Sequence, residues 1–294
     1  MELAPRVLSL FPILLAAADL YAALARMAHV SEGPHLAHVS REARRWSDLA
    51  VHRTAGPKHF AVRRIASGLL LTAICNEIRR AVPPPHPRPT TQDRRWRKRA
   101  ALLGSLGQRH LCAGLKLFLP AEQAALIHAC GEAHSWAAAA LVGARSANQV
   151  EDALRRAFRG AHVTPASSEE DALEATDFRL TWPRVRGGYL VQVKTAPLRD
   201  KDMRVLVFNN RLPHRHQFLM DPGDSVRAEE LRRVGDRQYG EAFQVWSHAQ
   251  TRWQRTQDPW FAAYVTVRAD LPDGITDVLA RLLAQSFILP VSGP

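Results

Sequence analysis

Cysteine is scarce in this chain, with three residues among 294, at positions 75, 112 and 130. Because they are odd in number and widely spaced, they do not suit the disulfide framework of a small secreted protein or a zinc site built on thiolates. Low cysteine usage of this kind is typical of a reducing compartment, so we expect a cytoplasmic protein. The composition is otherwise globular, with 46% hydrophobic and 23% charged residues, which argues against extended disorder.

Long apolar runs are also missing. The candidate Val7–Ala18 is about a dozen residues long and contains Pro12, whereas a transmembrane helix needs roughly 20 apolar residues. The segment lacks the basic flank of a signal peptide, since Glu2 offsets Arg6. We therefore expect a buried helix and no membrane span. The alternative is a helical protein of the membrane surface, which would use residues 7–24 together with the arginines.

Three common catalytic signatures are absent from the sequence: a glycine-rich phosphate loop, a G-x-S-x-G nucleophile elbow and an H-E-x-x-H zinc motif. Their absence argues against P-loop nucleotide hydrolysis, α/β-hydrolase chemistry and zinc-protease chemistry. A catalytic function would therefore have to depend on another arrangement of side chains.

Acidic residues are few relative to basic ones, 28 against 40, which gives a net charge of +12. The first 144 residues contain 19 basic and 9 acidic residues (net +10), and the remainder contains 21 and 19 (net +2). A basic excess in one half favours a polyanionic partner, because each Lys or Arg placed on a phosphate releases a condensed counterion. We predict nucleic acid as that partner. The alternative is a coding preference for arginine.

The secondary-structure pattern changes near residue 144. Residues 1–144 are predicted to form an all-helical region, which the proline-rich connector 83–89 interrupts. Residues 145–294 mix helices and strands, an α/β or α+β pattern. In this part we predict a helix over 149–159 capped at 146–148, strands over 161–166, 176–182, 189–195 and 261–267, and a helix over 273–287.

The two strands over 176–182 and 189–195 flank a connector that contains proline and glycine, as in a β-hairpin. Pairing Trp182 with Tyr189 across the turn would place Asp177 opposite Lys194. Because side chains alternate between the faces of a strand, Asp177, Gln192 and Lys194 are predicted to share one face.

These three side chains can support hydrolysis of a phosphodiester. Carboxylate and amide oxygens suit Mg²⁺, and a metal-bound water is a nucleophile that Lys194 can orient. Glu151, on the helix before the first strand, is the candidate for a second carboxylate. The alternatives are a surface ion pair between Asp177 and Lys194, with Gln192 as a further surface residue, and a favourable anion in the first turn of a helix for Glu151.

The arrangement resembles the PD-(D/E)xK nuclease superfamily, and its glutamine variant is most similar to the Mrr-type restriction endonucleases. The similarity covers roughly residues 145–270 and consists of Glu151 on a helix, Asp177 on a strand and Gln192-x-Lys194 on the next strand. It implies a restriction-endonuclease-like core, a mixed central sheet flanked by helices, that cuts DNA with Mg²⁺ (or Mn²⁺). Glu151, Asp177 and Gln192 would be metal ligands, and Lys194 would be the catalytic lysine.

We therefore expect a metal-dependent DNA endonuclease, with a role in restriction or anti-phage defence suggested by analogy alone. Cutting both strands at once needs two nuclease domains, so a homo-oligomer or a subunit of a defence complex is expected. The alternative is a catalytically inactive, nuclease-like subunit that binds nucleic acid or acts as a scaffold.

A second candidate binding element is the densest run of charged residues in the chain. It either binds phosphates and stacks on a base or forms a solvent-exposed face of a helix. Its residues are Arg94, Arg95, Trp96, Arg97, Lys98 and Arg99.

Three further groups of residues have simpler interpretations. We interpret His214 and His216 as a loop pair rather than a metal pair. The acidic residues within 169–174 are predicted to lie in a solvated loop, with a contribution to a metal site as the alternative. Tryptophans at 246, 253 and 260 recur every seven residues, which predicts one stripe on a helix.

Overall fold

The computed structural model describes residues 59–81, 91–133, 135–196, 203–208, 211–218, 228–268 and 275–287. The apolar segment 7–18 and the proline-rich connector 83–89 lie outside these ranges, so the predictions for them stay untested. The chain divides into two compact units, with the boundary between Asn148 and Gln149.

The described part of the first unit consists of helices and their connections. The helices are α1 (His59–Ala81), α2 (Thr91–Leu115), α3 (Pro120–Ala133) and α4 (Ser135–Ala157), the last of which continues into the second unit. Helices α1 and α2 pack closely at glycines: a Cβ on Gly107 would lie 2.9 Å from Thr72 Oγ1 and 3.0 Å from the Gly68 carbonyl oxygen. Side chains such as Leu69 and Leu111 fill the core around this contact.

The predicted helix start at residues 146–148 is wrong, because α4 runs through this segment without a break. The Asn148 side chain donates to the carbonyl oxygen of Cys112 at 3.0 Å, and Ser146 is buried. Both polar side chains are therefore used in packing.

Across the described residues, helices that combine the length and the apolar character needed to cross a membrane are absent.

The described part of the second unit contains a five-stranded mixed sheet. Its strands are β1 (His162–Pro165), β2 (Phe178–Thr181), β3 (Gly188–Ala196), β4 (Arg204–Phe208) and β5 (Trp260–Arg268). They lie in the order β1-β2-β3-β5-β4. Strands β1, β2 and β3 are antiparallel neighbours, β5 is parallel to β3, and β4 is antiparallel to β5. The helices are α5 (Ser168–Glu174), a 3₁₀ helix (Arg215–Phe218), α6 (Ala228–Thr256) and α7 (Ile275–Ser286).

Helices flank the sheet, so the α/β fold class with a mixed central sheet is confirmed. On one face, Leu190 and Tyr264 pack against Ala242 and Val245 of α6. On the other face, the Tyr189 ring lies 4.6 Å from the ring of Phe287, which follows α7. Successive β3 residues thus contribute to opposite cores, as strand geometry requires.

The predicted hairpin register is wrong by two residues: Leu180, rather than Trp182, pairs with Tyr189. Trp182 belongs to the connecting turn instead, because its carbonyl oxygen accepts a hydrogen bond from the Val185 amide at 3.2 Å. Since the slip is even, every side chain keeps its predicted face. Continuing this register by one residue places Asp177 opposite Gln192.

Candidate active site

Asp177 lies directly before β2 and is fixed by its backbone. Its amide donates to the Val191 carbonyl at 2.8 Å, and its own carbonyl accepts from the Ala166 amide at 2.8 Å. Its carboxylate oxygen Oδ2 accepts hydrogen bonds from Gln192 Nε2 (2.8 Å) and from the Val193 amide (2.6 Å). The carboxylate therefore has a defined orientation toward β3.

Gln192 lies in the middle of β3 and is 3% exposed. Its Nε2 group donates to Asp177 Oδ2 and to the Val193 carbonyl at 3.2 Å. Its Oε1 atom is buried and accepts no hydrogen bond from the residues that the structure describes. A buried oxygen without a hydrogen-bond partner destabilises the folded protein by about 1–3 kcal/mol unless a bound ligand interacts with it. This atom is therefore a candidate ligand for a cation.

Lys194 follows two residues later on the same face. Its Nζ atom lies 3.2 Å from Oε1 of Glu241 on α6. The other oxygen of Glu241, Oε2, accepts a hydrogen bond from the Tyr264 hydroxyl at 3.3 Å, and Tyr264 pairs with Gln192 in the register of β3 and β5. Sequence reasoning missed Glu241 and Tyr264. The tyrosine within the strand candidate 261–267 was the available signal for Tyr264, and no local pattern marks Glu241.

Negative charge exceeds positive charge around the Asp177 carboxylate. Burial and the nearby charge of Asp171 raise the pKa of Asp177 to about 7, and Glu241 contributes in the same direction. The Val193 amide and Lys194 oppose this shift. A bound cation would offset the excess negative charge, so the electrostatics and the donor atoms both fit a metal ion.

The acidic residues within 169–174 form helix α5, so the prediction of a solvated loop is wrong. Ser167 caps the helix in a reciprocal arrangement with Glu170. Arg252 of α6 donates to Glu170 at 2.7 Å and to Glu174 at 2.9 Å. Burial acts to raise the pKa of Glu170, but hydrogen bonds from Ser167 and Arg252 outweigh it and lower that pKa. These two carboxylates are therefore engaged in anchoring α5.

Glu151 is on α4 and is 4% exposed. Its Oε1 atom accepts a hydrogen bond of 2.8 Å from Arg155, which also donates to the Val163 carbonyl. The first-turn interpretation is wrong, because α4 begins at Ser135, four turns earlier. The structure thus brings together Asp177, Gln192 and Lys194 and binds Glu151 to Arg155; a ligand role for Glu151 stays a prediction.

Histidine and cysteine side chains in the described part of the chain do not add ligands to this cluster. Within the described ranges, no group of three or more His, Cys, Asp and Glu side chains is arranged to hold a metal ion. The rings of His214 and His216 stack with their centroids 5.5 Å apart, and both residues are exposed. An ion at Asp177 would therefore depend on the Gln192 amide oxygen and on water for its remaining ligands, as Mg²⁺ commonly does.

Only two of the three tryptophans predicted to form one stripe lie on a helix. Trp246 and Trp253 lie on α6, but Trp260 begins β5, because the helix ends at Thr256. The Arg252 guanidinium lies 5.4 Å from the centre of the Trp260 ring. These tryptophans join the helix to the sheet rather than form one helical seam.

The charge run Arg94–Arg99 lies within α2. Arg94 and Lys98 are exposed, and Arg97 and Arg99 are partly buried. The side chains of Arg95 and Trp96 are outside the part of the chain that the structure describes. Base stacking by Trp96 therefore stays a prediction.

Comparison of the chain with models of known protein families, with curated proteins and with solved structures found no match. The fold and the site define an α/β unit in which the Asp177 carboxylate, the buried Gln192 amide and the partly exposed Lys194 ammonium lie on one face of the sheet. Its function has to be inferred from that chemistry.

Proposed function

We propose that the second unit is a metal-dependent deoxyribonuclease of the PD-(D/E)xK type, which hydrolyses phosphodiester bonds in DNA. The observation that carries this proposal is the Asp177 carboxylate, bound by Gln192 and by the Val193 amide, with Lys194 next on the same face. Such a combination of acid, amide and amine is the chemistry that the resemblance implies.

The order of elements supports the proposal. Glu151 lies on the helix α4 before the sheet, Asp177 lies at the start of β2, and Gln192 and Lys194 lie on β3. The sheet is mixed and flanked by helices, as in a restriction-endonuclease-like core. The fold class alone is shared by many functions, so the placement of these side chains carries more weight than the topology.

Two oxygens of the site fit Mg²⁺ or Mn²⁺: a carboxylate oxygen of Asp177 and the unpaired Oε1 of Gln192. Such an ion, when bound, acidifies a water and makes it a nucleophile near neutral pH. The donor set is hard oxygen, which suits these ions better than zinc. Glu151 is the predicted third ligand.

The chain's own residues then have distinct tasks. The Val193 amide and Gln192 hold Asp177 in one orientation, which lowers the cost of organising the site. Lys194 places a positive charge where a phosphate would gain negative charge during attack. Electrostatic stabilisation of this kind is most effective at a partly buried site such as this one.

Binding of DNA is assigned to the basic first unit, with Arg94 and Lys98 as exposed cations on α2. Their contacts would be with phosphates and therefore independent of sequence. A homo-oligomer or a larger defence complex would supply the second domain needed to cut both strands.

One observation favours the second candidate, a nuclease-like subunit that binds nucleic acid without cutting it. Lys194 is already paired with Glu241 at 3.2 Å, and Gln192 carries no charge. A site compensated in this way attracts a cation less strongly than one with two free carboxylates.

A plasmid-cutting assay separates the two candidates. Wild type is incubated with supercoiled plasmid in Mg²⁺, Mn²⁺ or chelator, beside Asp177→Asn, Lys194→Ala and the surface control Asp277→Asn. Nicking or linearisation by wild type and the control alone, dependent on metal, supports the nuclease. If all four proteins retain DNA equally in a filter-binding assay and none cuts, the binding subunit is the correct assignment.

A further inference from the structure

Glu241 connects α6 to the candidate catalytic lysine. Its Oε1 lies 3.2 Å from Lys194 Nζ, and its Oε2 accepts a hydrogen bond from Tyr264 at 3.3 Å. We propose that Glu241, itself held by Tyr264, is a positioning residue that fixes the Lys194 ammonium beside the Asp177–Gln192 pair. This inference rests on the proposed nuclease function and adds two residues to it.

Tyr264 is well suited to hold a carboxylate. It is 1% exposed, so its hydroxyl needs a hydrogen-bond partner. Burial and the neighbouring charge of Glu241 raise its pKa, so the hydroxyl stays protonated and remains a donor. Because Tyr264 and Gln192 are paired in the parallel ladder of β5 and β3, this donor is tied to the strand that carries the site.

Glu241 is anchored from the helix side as well. Its neighbour Ala242, and Val245 one turn later, are completely buried against the sheet together with Leu190. Packed cores of this kind do not deform continuously. The carboxylate is therefore held in place both by its own backbone and by the Tyr264 hydroxyl.

Lys194 needs such a partner. Its side chain is 36% exposed and carries its ammonium group on a flexible four-carbon stem. A lysine without a fixed partner would distribute its ammonium over many rotamers and would rarely lie beside the reacting phosphate. Since a partly exposed ion pair contributes little to stability, we expect the effect of Glu241 on the catalytic rate rather than on folding.

The test measures plasmid cleavage by the full chain carrying Glu241→Gln or Tyr264→Phe. Asp236→Asn is the matched control, because Asp236 lies on the same helix in an exposed ion pair with Arg215. We expect Glu241→Gln to lower kcat by about 10- to 100-fold and Tyr264→Phe to lower it by a smaller factor, as for other residues that orient a functional group. KM for DNA and the half-saturating Mg²⁺ concentration should change by less than about two-fold.

A double-mutant cycle then shows whether Glu241 acts through Lys194. In a Lys194→Ala background, measured with enzyme in excess, adding Glu241→Gln should reduce the residual rate by less than about two-fold. Tyr264→Phe, which removes a single hydroxyl, carries the test if Glu241→Gln fails to fold.

Several results would overturn the inference. A ten-fold or greater rise in half-saturating Mg²⁺ would show that Glu241 acts on the metal site itself and not through the position of Lys194. An unchanged or faster rate in Glu241→Gln, or a full additional loss in the Lys194→Ala background, would also refute positioning. These failures leave the nuclease assignment intact, whereas a wild type that does not cut removes the proposed function and this inference together.

Discussion

Replacing Asp177 by asparagine should stabilise the metal-free protein at alkaline pH. Burial and the charges of Asp171 and Glu241 raise the pKa of Asp177 from 3.8 to about 7. Asparagine keeps an oxygen that can accept from Gln192 and from the Val193 amide, but it carries no charge. The substitution therefore removes the electrostatic penalty while it preserves the shape of the site.

The pH dependence follows from proton binding. Between about pH 4 and pH 7 the folded protein holds a proton on Asp177 that the unfolded chain has lost, so the free energy of unfolding falls as pH rises. Above that window both states are ionised and the penalty is constant. Three pKa units at 1.36 kcal/mol each set an upper limit of about 4 kcal/mol.

Urea denaturation in the presence of chelator measures this effect at several pH values from about 4.5 to 8.5. We expect Asp177→Asn to match wild type at the acidic end and to exceed it increasingly toward the alkaline end. Gly240→Ala, an exposed helix substitution without a titrating group, is the control, and its offset from wild type should not vary with pH. An Asp177→Asn variant that is less stable than wild type at about pH 8 would refute the reasoning, because it would show that the hydrogen bonds to the charged form outweigh burial.

Three other predictions test the site and its supports. Mg²⁺ should raise the melting temperature of wild type more at about pH 8 than at about pH 5, because the ion competes with the proton for the Asp177 carboxylate. The rise in melting temperature should disappear in Asp177→Asn. An equal rise in both proteins would place the ion elsewhere. Arg252→Ala should cost about 1–3 kcal/mol in urea unfolding, since it removes hydrogen bonds to two carboxylates of α5 and leaves Glu170 with Arg179 as its remaining cation. Arg156→Ala, in an exposed pair, should change stability by less than about 0.5 kcal/mol. Gly187→Ala should destabilise the folded protein by about 1–3 kcal/mol, because φ is +83° and a Cβ would collide with the Pro259 carbonyl oxygen. Gly240→Ala, with open space around its Cβ, should stabilise the folded protein by about 0.5–1 kcal/mol. Similar effects of the two substitutions on stability would contradict this account of Gly187.

Much of the sheet could be predicted from alternation alone. Period-two patterning located three of the five strands described and the shared face of Asp177, Gln192 and Lys194, and the segment 261–267 was a further strand candidate. Strand β4 was missed because it is a five-residue strand at the edge of the described sheet, where β5 is its neighbour. Its pairing depends on a partner more than fifty residues away, and no local pattern reports that partner.

Helix boundaries depended on tertiary context. The polar residues at 146–148 are typical of a helix start, yet α4 runs through them, because Asn148 finds a hydrogen-bond partner in α2. The acidic segment within 169–174 is typical of a solvated loop, but the Ser167 cap and the ion pairs with Arg252 stabilise it as a helix. In both segments, contacts distant in sequence outweigh a weak local preference.

The sequence by itself determined which side chains of the hairpin face the same way, since that property depends only on the two-residue repeat of an extended chain. Which of them touch was decided by the three-dimensional structure. The turn at Trp182 set the register of β2 with β3, and α6 brought Glu241 to Lys194 from a position 47 residues further along the chain. The physical reason is that backbone periodicity is a local property, whereas distances between side chains are determined by packing between elements.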